Sequence, residues 1–130
     1  MADLFSTFAI ASSGMDAQSR RLRHVAENIA NADTPGYRRK TIDFSSQFDR
    51  ARGVTTVATG PVKLDRGELP RIYDPGHALA DGDGYYRGST VDTMVEMADA
   101  REAGRSYEAN LAMFDQARQM SQSLIDLLRR

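Results

Sequence analysis

Side chains that commonly carry out chemistry are few and scattered in this 130-residue sequence. It has no cysteine, which excludes thiolate catalysis, disulfides and cysteine-bound zinc. His24 and His77 fall in different segments, and a lone histidine on a helix is usually solvated or hydrogen-bonded rather than a metal ligand. No phosphate-binding glycine pattern and no nucleophile motif is present. The sequence therefore predicts no catalytic residue, no cofactor and no metal, and the protein is not expected to be an enzyme.

Two acidic stretches contain residue types that could bind a metal or act as acids and bases. The stretch Asp-Gly-Asp-Gly-Tyr-Tyr, 81–86, alternates acids like a calcium loop, but Tyr86 stands where such a loop needs glycine and no glutamate closes it. We interpret it as a polar turn. Glu96 and Asp99 lie among basic residues on a predicted helix, where a solvated face is the expected role.

Basic residues cluster in one helical segment and again after a turn. The net charge of only -1 gives no global field for nucleic acid or an anionic membrane. The helical basic residues are matched by acids near the other end of the chain, so helix pairing is favoured over nucleic-acid binding. The basic set is Arg20, Arg21, Arg23 and His24; the acidic set is Asp92, Glu96, Asp99, Glu102 and Glu108.

The first element that could position these groups is a long helix from about Asp3, as N-cap, to Ala32. Its apolar residues alternate in steps of three and four, which is a heptad seam. An ordinary amphipathic helix would also fit, but the length favours a coiled-coil partner. The seam contains Leu4, Phe8, Ala11, Met15, Leu22, Val25, Ile29 and Ala32.

A second long helix is predicted from Val91 or Asp92 to the end. Its apolar face is wider than one partner helix would cover, so it packs either into a bundle or against a neighbouring molecule. The main seam is Met97, Ala100, Gly104, Tyr107, Leu111, Phe114, Ile125 and Leu128. A second stripe is Met113, Ala117, Met120, Leu124 and Leu127.

The middle segment, 33–90, holds all four prolines and most of the glycines. Short β-like runs begin at Val54, Pro61, Arg71 and Gly84, while 42–48 fits either a strand or a helical turn. The fold class is mainly α with a small β insert, in which the terminal helices pair as an antiparallel coiled coil. Residues 1–32 and 91–130 then form a helical core domain, and 33–90 a turn motif and β-rich insert.

The antiparallel pairing also carries a predicted register. If Leu4 lies near Leu128, then Arg20, Arg21 and Arg23 come alongside Glu108 and Asp115. Glu27 would then meet Arg105.

A specific turn follows the first helix. Two asparagines three residues apart lie near the helix end, where their amides can bond backbone groups that the last turn leaves unpaired. A Pro-Gly pair fits the centre of a type II turn, and the tyrosine after it can be anchored by its hydroxyl. These residues are Asn28, Asn31, Thr34, Pro35, Gly36 and Tyr37.

This turn carries a resemblance. The block AENIANADTPGYRRK, 26–40, closely resembles the signature of bacterial flagellar rod, hook and hook-filament junction proteins. The blocks YDPGHALADGDGY, 73–85, and VEMADAREAGRSYEANL, 95–111, are similar to proximal rod members of that family, and the second adds Tyr107 and Asn110 as motif residues. Where the family commonly has an Asn-Val pair before the last helix, this chain has Ser-Thr-Val-Asp, 89–92.

The resemblance implies a structural subunit of the proximal rod of the flagellar basal body, which transmits torque and forms part of the wall of the export channel. It implies passage through the flagellar type III export apparatus without a cleaved signal peptide, and a place in the periplasmic space. Partners would be FlgB-, FlgF- and FliE-like subunits and further copies of the chain, with no nucleic acid and no direct membrane insertion. The alternatives are a FlgB-type rod protein, a cytosolic helical adaptor or export chaperone, and a small nucleic-acid-binding protein.

Overall fold

The computed structural model describes residues 2–130, so Met1 of the predicted first helix lies outside the described residues. Two long helices, α1 (Ala2–Ala30) and α2 (Thr93–Leu128), enclose an insert of short strands. The strands are β1 (Lys40–Thr41), β2 (Phe44–Asp49), β3 (Val54–Thr59), β4 (Lys63–Leu64), β5 (Arg71–Tyr73) and β6 (Tyr85–Arg87). The fold class predicted from the sequence, mainly α with a small β insert, is confirmed.

Both ends of α1 differ slightly from the prediction. Asp3 is not the N-cap, because the helix already includes Ala2 and places Asp3 in its first turn, where the helix dipole favours a carboxylate. At the other end, the Asn31 N–H still bonds the Glu27 carbonyl at 3.1 Å, but the next N–H, on Ala32, bonds only three residues back. The helix therefore ends at Ala30 and unwinds into turns before the proline.

Helix α2 begins with a side-chain cap. Asp92 has extended backbone angles, and its carboxylate accepts a hydrogen bond from the Met94 N–H at 3.0 Å. An aspartate in this role satisfies one of the N–H groups that the first turn leaves unpaired. The predicted start at Val91 or Asp92 is thus within two residues of the observed one, and the Ser-Thr-Val-Asp departure from the family pattern keeps a functional cap.

The insert contains three separate two-stranded antiparallel sheets, β1–β4, β2–β3 and β5–β6. Strands lie in all four predicted runs, and the undecided stretch 42–48 contributes β2. The longest ladder runs from Phe44 opposite Thr59 to Asp49 opposite Val54. This hairpin lies along α1, because Val54 is buried and the Val57 N–H donates to Ser13 Oγ at 3.1 Å.

The two chain segments that leave and re-enter the helical pair run beside each other. The Thr90 N–H donates to the Tyr37 carbonyl at 3.0 Å, and the Arg39 N–H donates to Thr90 Oγ1 at 2.8 Å. Ser89 Oγ additionally bonds the Ala32 carbonyl at the end of α1. The chain therefore leaves and re-enters the helical pair at one narrow double connection.

The helices pack antiparallel. The rings of Phe8 and Phe114 meet edge to face with centroids 4.9 Å apart, and Gly14 lies against the Asn110 side chain. Further along, Arg21 Nη2 lies 3.3 Å from Asp99 Oδ1. These pairs set the register.

The predicted register is wrong by about ten residues. A groove beside Leu4 is lined by α2 residues between Met113 and Leu124 and not by Leu128, and Glu27 pairs with Lys40 rather than Arg105. Charge pattern alone allowed several registers. The contact of Gly14 with a bulkier side chain and the fit of the two phenylalanine rings select the observed one.

Small residues form the centre of the helix pair. Four alanines, one every few turns, are at most 2% exposed, which lets the two backbones approach closely. They are Ala11, Ala17, Ala103 and Ala117. Alanine therefore supplies most of a core in which leucine and isoleucine were expected.

The large apolar residues that were predicted for the seam fall into three classes of burial. Val25 is buried; Leu4, Phe8, Met15, Leu22 and Phe114 are half-buried at the flanks. Ile29, Leu111, Ile125 and Leu128 are exposed, so they do not belong to the seam between α1 and α2. The reason is that a pair of helices in close contact buries only a narrow stripe of each.

Because of the register, the last turns of α2 extend beyond the start of α1. Leu128 is 84% exposed, and Leu124, Ile125 and Leu127 are exposed beside it. We call residues 124–128 the α2 extension. Among residues 2–130, no helix is both long enough and apolar enough to cross a membrane.

Candidate assembly site

Asn28 is the centre of a buried polar network at the junction of the helices and the insert. It is 1% exposed, and its Nδ2 donates to the Lys40 carbonyl at 2.9 Å and to Glu96 Oε2 at 3.2 Å. Its Oδ1 accepts from the Lys40 N–H and from the Tyr37 hydroxyl, each at 2.9 Å. The amide was predicted to bond the last turn of its own helix. It instead binds β1 and α2, because the turn brings Lys40 back over it.

Asn31 has a more local role. Its Nδ2 donates to the Glu27 carbonyl at 2.9 Å, which is a backbone group of the last helical turn, and its Oδ1 accepts from Thr34 Oγ1 at 3.1 Å. The two asparagines of the motif thus do different work. Asn28 joins three elements, and Asn31 closes the end of α1.

The turn between them and β1 has the geometry expected of Thr-Pro-Gly-Tyr. The Tyr37 N–H donates to the Thr34 carbonyl at 3.2 Å, and Gly36 has φ of 75°, which follows Pro35 in a type II turn. The Gly36 N–H donates to the carbonyls of Arg87 and of its neighbour Gly88, each at 3.2 Å. The turn therefore also holds the β5–β6 sheet.

A cluster of charges surrounds Asn28. Glu96, which is 0% exposed, pairs with Arg39 Nε, and Arg39 Nη2 lies 2.6 Å from Asp99 Oδ2. Burial disfavours the charge of Arg39, but the hydrogen bond and attraction of Glu96, with Asp99, outweigh it and raise the Arg39 pKa. Arg21 extends the cluster to Asp99 and Glu102, at 3.3 Å and 3.6 Å.

Lys40 adds a second ion pair at the edge of the cluster. Its Nζ lies 2.5 Å from Glu27 Oε1, and this hydrogen bond lowers the pKa of Glu27 and raises that of Lys40. Burial, followed by the negative charge of Glu27, raises the pKa of the Tyr37 hydroxyl. Tyr37 therefore stays a neutral donor to Asn28. We call Asn28, Tyr37, Arg39, Lys40 and Glu96 the junction cluster.

Sequence reasoning missed part of this cluster. The helical pattern predicts a solvated position for Glu96, but the residue is fully buried because Arg39 and Asn28 satisfy its carboxylate. Arg39 was treated only as part of a basic run. The sequence did contain one signal for Arg39. The predicted type II turn reverses the direction of the chain, so the residues directly after it run back beside the end of α1.

Two motif residues lie elsewhere. Asn110 is half-buried against Gly14, and its Nδ2 donates to the Ser106 carbonyl at 2.8 Å. Gly14 precedes Asn28 by fourteen residues, or about 20 Å along a helix. Tyr107 is half-buried on α2. Neither residue belongs to the junction cluster.

The groups of the junction cluster bind one another and so have a structural role. Asn28 and Arg39 are both bonded to Glu96, and Lys40 is bonded to Glu27 at the edge of the cluster. No group of three or more acids or histidines within residues 2–130 is arranged to hold a metal. Removing one member leaves another buried polar group without its partner. Such an arrangement fixes the insert against both helices.

Comparison with known proteins places this fold. Residues 8–38 match the family model described as flagella basal body rod protein, and residues 83–127 match the C-terminal model of flagellar basal body rod FlgEFG proteins. A flagellar basal-body rod protein FlgC from Agrobacterium fabrum is 47% identical over 99% of this chain and 98% of its own length. The FlgC proteins of Salmonella typhimurium and Escherichia coli O157:H7 are 36% and 35% identical, each over 90% of this chain and 92% of their length.

The two long helices, the junction turn and these matches define the class: the chain belongs to the flagellar basal-body rod protein family. Within that family the relatives above carry the name FlgC, rather than that of the FlgB-type protein considered as an alternative. The chain is a FlgC-like structural subunit of the flagellar basal-body rod.

Proposed function

We propose that this subunit forms part of the wall of the proximal rod, with its helix pair around the export channel. The observation that carries the proposal is the α2 extension, an apolar helical surface whose large side chains are between 44% and 84% exposed. Exposed apolar surface of this kind marks a contact with another protein. Neighbouring helices in a tube would cover it.

Torque transmission is the second part of the proposal. A rod subunit must pass a twisting force from its helices to its outer insert without hinge motion. The junction cluster supports this role, since Asn28 and Arg39 bond α1, β1 and α2 together through buried contacts. A buried, fully bonded network resists small displacements better than an apolar contact, because each shift unpairs a polar group.

The neighbours we propose are other copies of this chain and FlgB-, FlgF- and FliE-like subunits. We further propose that the chain reaches the periplasmic part of the rod through the flagellar type III export apparatus. Family membership supports both points in general. It also supports a protein without enzymatic activity.

Deletion of the gene tests the proposal. Cells without the protein should be non-motile and lack external hook and filament, since later parts are stacked on the rod. Electron microscopy of a clean deletion strain, complemented with a tagged copy, measures this, and the tagged protein should travel with purified basal bodies. Normal hooks in the deletion strain, or a tagged protein found only in the cytosol, would refute the proposal.

A further inference from the structure

An apolar groove lies at the start of α1. It encloses about 750 Å³ and is lined by Phe5, Phe8 and Phe114, while Arg52 reaches its edge from the tip of the β2–β3 hairpin. Phe5 is 66% exposed and the Arg52 side chain 68% exposed. Asp49 lies 3.8 Å from Arg52 and offsets part of its charge. The three phenylalanine rings can contact an apolar side chain, and the remaining positive charge of Arg52 can attract an acidic group beside it.

The β5–β6 loop, residues 74–84, has the complementary character. It contains three aspartates and neither lysine nor arginine. Leu79 near its middle is 65% exposed, and Tyr73 at its base is 64% exposed. The loop thus presents apolar side chains with an acidic rim, and it is longer than the turn that joins β2 and β3.

The loop is ordered by its own contacts. Asp81 Oδ1 accepts from the N–H groups of Asp83 and Tyr85 at 2.9 and 3.0 Å, and the hydrogen bond from Tyr85 is the main reason that the pKa of Asp81 is lowered. The His77 ring stacks on Tyr86 with centroids 3.9 Å apart. A preformed loop loses little conformational entropy when it binds.

The groove and the loop of one chain lie too far apart to meet. The loop is anchored near Ala32, where Ser89 bonds the end of α1, and Ala32 is about 36 Å along the helix from Phe8. The loop is held in place by its own contacts, and none of its residues is among those that line the groove. A contact between them must therefore join two molecules.

We propose that the groove at the start of α1 of one copy binds the acidic β5–β6 loop of a second copy. Leu79 enters among the phenylalanines, and the aspartates face Arg52. The two surfaces differ, so the contact is heterologous and each bound copy offers a fresh groove and a fresh loop, which is the geometry of an open helical assembly. This inference rests on the proposed rod function and names one contact within it.

Cross-linking in isolated basal bodies tests the contact. Because the chain has no cysteine, the double variant Ser12→Cys with Ala78→Cys carries one thiol at the groove and one on the loop, beside an intact Leu79. A short bismaleimide should produce a ladder of dimers and higher multiples, while each single variant should stay monomeric. Absence of the ladder, when the protein is present in the basal bodies, overturns the proposal.

The single variants identify other occupants. Dimers of Ala78→Cys alone would mean that two loops meet, and a cross-link from Ser12→Cys alone to a different protein would mean that another subunit fills the groove. Either outcome overturns the proposal. Absence of the unsubstituted protein from basal bodies would instead refute the proposed rod function, so the two failures are distinguishable.

Charge exchange tests the recognition. In the two-cysteine background, Arg52→Asp and Asp83→Arg should each lower the ladder yield at least about fivefold, which corresponds to roughly 1 kcal/mol. The two together should restore at least about half of it. Arg101→Asp makes the same charge change on an exposed face of α2 and should have no effect. Failure of the double exchange to restore the yield would overturn the pairing of charges.

Discussion

The amide of Asn28 has chemistry that no other small side chain reproduces at its position. It donates twice, to a backbone carbonyl and to Glu96, and accepts twice, from a backbone N–H and the Tyr37 hydroxyl. Aspartate has the same shape but would lose both donors and place a second negative charge beside a buried carboxylate. The requirement is thus for an amide, not merely a polar residue.

We expect Asn28→Ala to lower the free energy of unfolding by about 1–3 kcal/mol, because Tyr37, Lys40 and Glu96 each lose a partner in a buried site. Asn31→Ala serves as the control, since it removes the same amide from a half-exposed position and should cost about 0.5–1.5 kcal/mol. Urea unfolding followed by circular dichroism measures both. An Asn31 variant as unstable as the Asn28 variant would contradict the central role of Asn28.

The Glu27–Lys40 pair predicts a specific pH dependence. The folded-state pKa of Glu27 lies below its ordinary value of 4.5, so its stabilising contribution is present above that pH and is lost as the pH falls through the folded-state pKa. The pKa of Lys40 is raised above 10.5, so its contribution is lost only as the pH rises through that higher value. Between these limits the pair contributes fully.

Wild type should therefore be more stable than Glu27→Gln at neutral pH, and the difference should disappear in acid. Urea midpoints of both proteins across the acidic range measure it. In a Lys40→Met background the same substitution should have a smaller effect. A difference that grows as the pH falls would have the wrong sign and would exclude this ion pair as its source.

At the scale of elements, the close approach of α1 and α2 depends on the absence of a side chain at Gly14. A methyl group on Gly14 would lie 2.7 Å from the Asn110 amide, whereas one on Gly104 would have no neighbour within 4 Å outside its own helix. Both glycines are in helix interiors, where alanine is favoured by about 1 kcal/mol. Their substitutions should therefore differ in sign.

Gly104→Ala should raise the free energy of unfolding by about 0.5–1 kcal/mol through helix propensity alone. Gly14→Ala should lower it by about 1–2 kcal/mol, since it displaces Asn110 from its bond to Ser106 and overpacks the contact. Thermal and urea unfolding of the pair of variants measures this. Equal stabilisation by both would show that the helices do not approach closely at Gly14.

The element types and the antiparallel pairing of the two helices were predictable from the sequence, but the register of the helices and the pairing of the strands were not. Heptad spacing located both helices, and Gly and Pro punctuation located the strands, because these signals act within a few residues. The register depended on Gly14 meeting Asn110 and on one phenylalanine pair, which are contacts between residues about a hundred positions apart. No local pattern contains that information.

The junction cluster divides in the same way. The type II turn and the hydroxyl anchor of Tyr37 followed from local chemistry. The burial of Glu96 did not. An acidic residue on a helix is expected to face solvent unless the position of a cationic partner, here Arg39, is known. Arg39 is placed there only by the return of the chain after the turn.

At the scale of the whole molecule, folding and assembly use different apolar surfaces. Leu22 is half-buried between the helices, whereas Leu128 lies in the α2 extension and touches little of its own chain. A change at the first residue should damage the monomer. A change at Leu128 should affect assembly and leave the stability of the monomer unchanged.

Leu128→Asp should leave the free energy of unfolding of the monomer within about 0.5 kcal/mol of wild type and abolish motility. Leu22→Asp should lower that free energy by roughly 1.5–3 kcal/mol or more and abolish motility as well. Gln119→Asp adds the same charge on a polar face of α2, beside Arg118 and Gln122, and should change neither. The measurements are urea unfolding, swimming assays and basal-body yield, with export checked separately; a motile Leu128 variant would remove the extension from the interface.

The narrow double connection of the insert makes it exchangeable. The outgoing chain at Tyr37 and Arg39 is hydrogen-bonded to the incoming chain at Thr90, so a foreign segment spliced between them would begin and end at neighbouring points. Chain ends that lie close together are the usual condition for tolerated domain insertion. The same helix pair can thus carry inserts of different length. Each insert would need to keep Arg39 and Lys40 at its first positions.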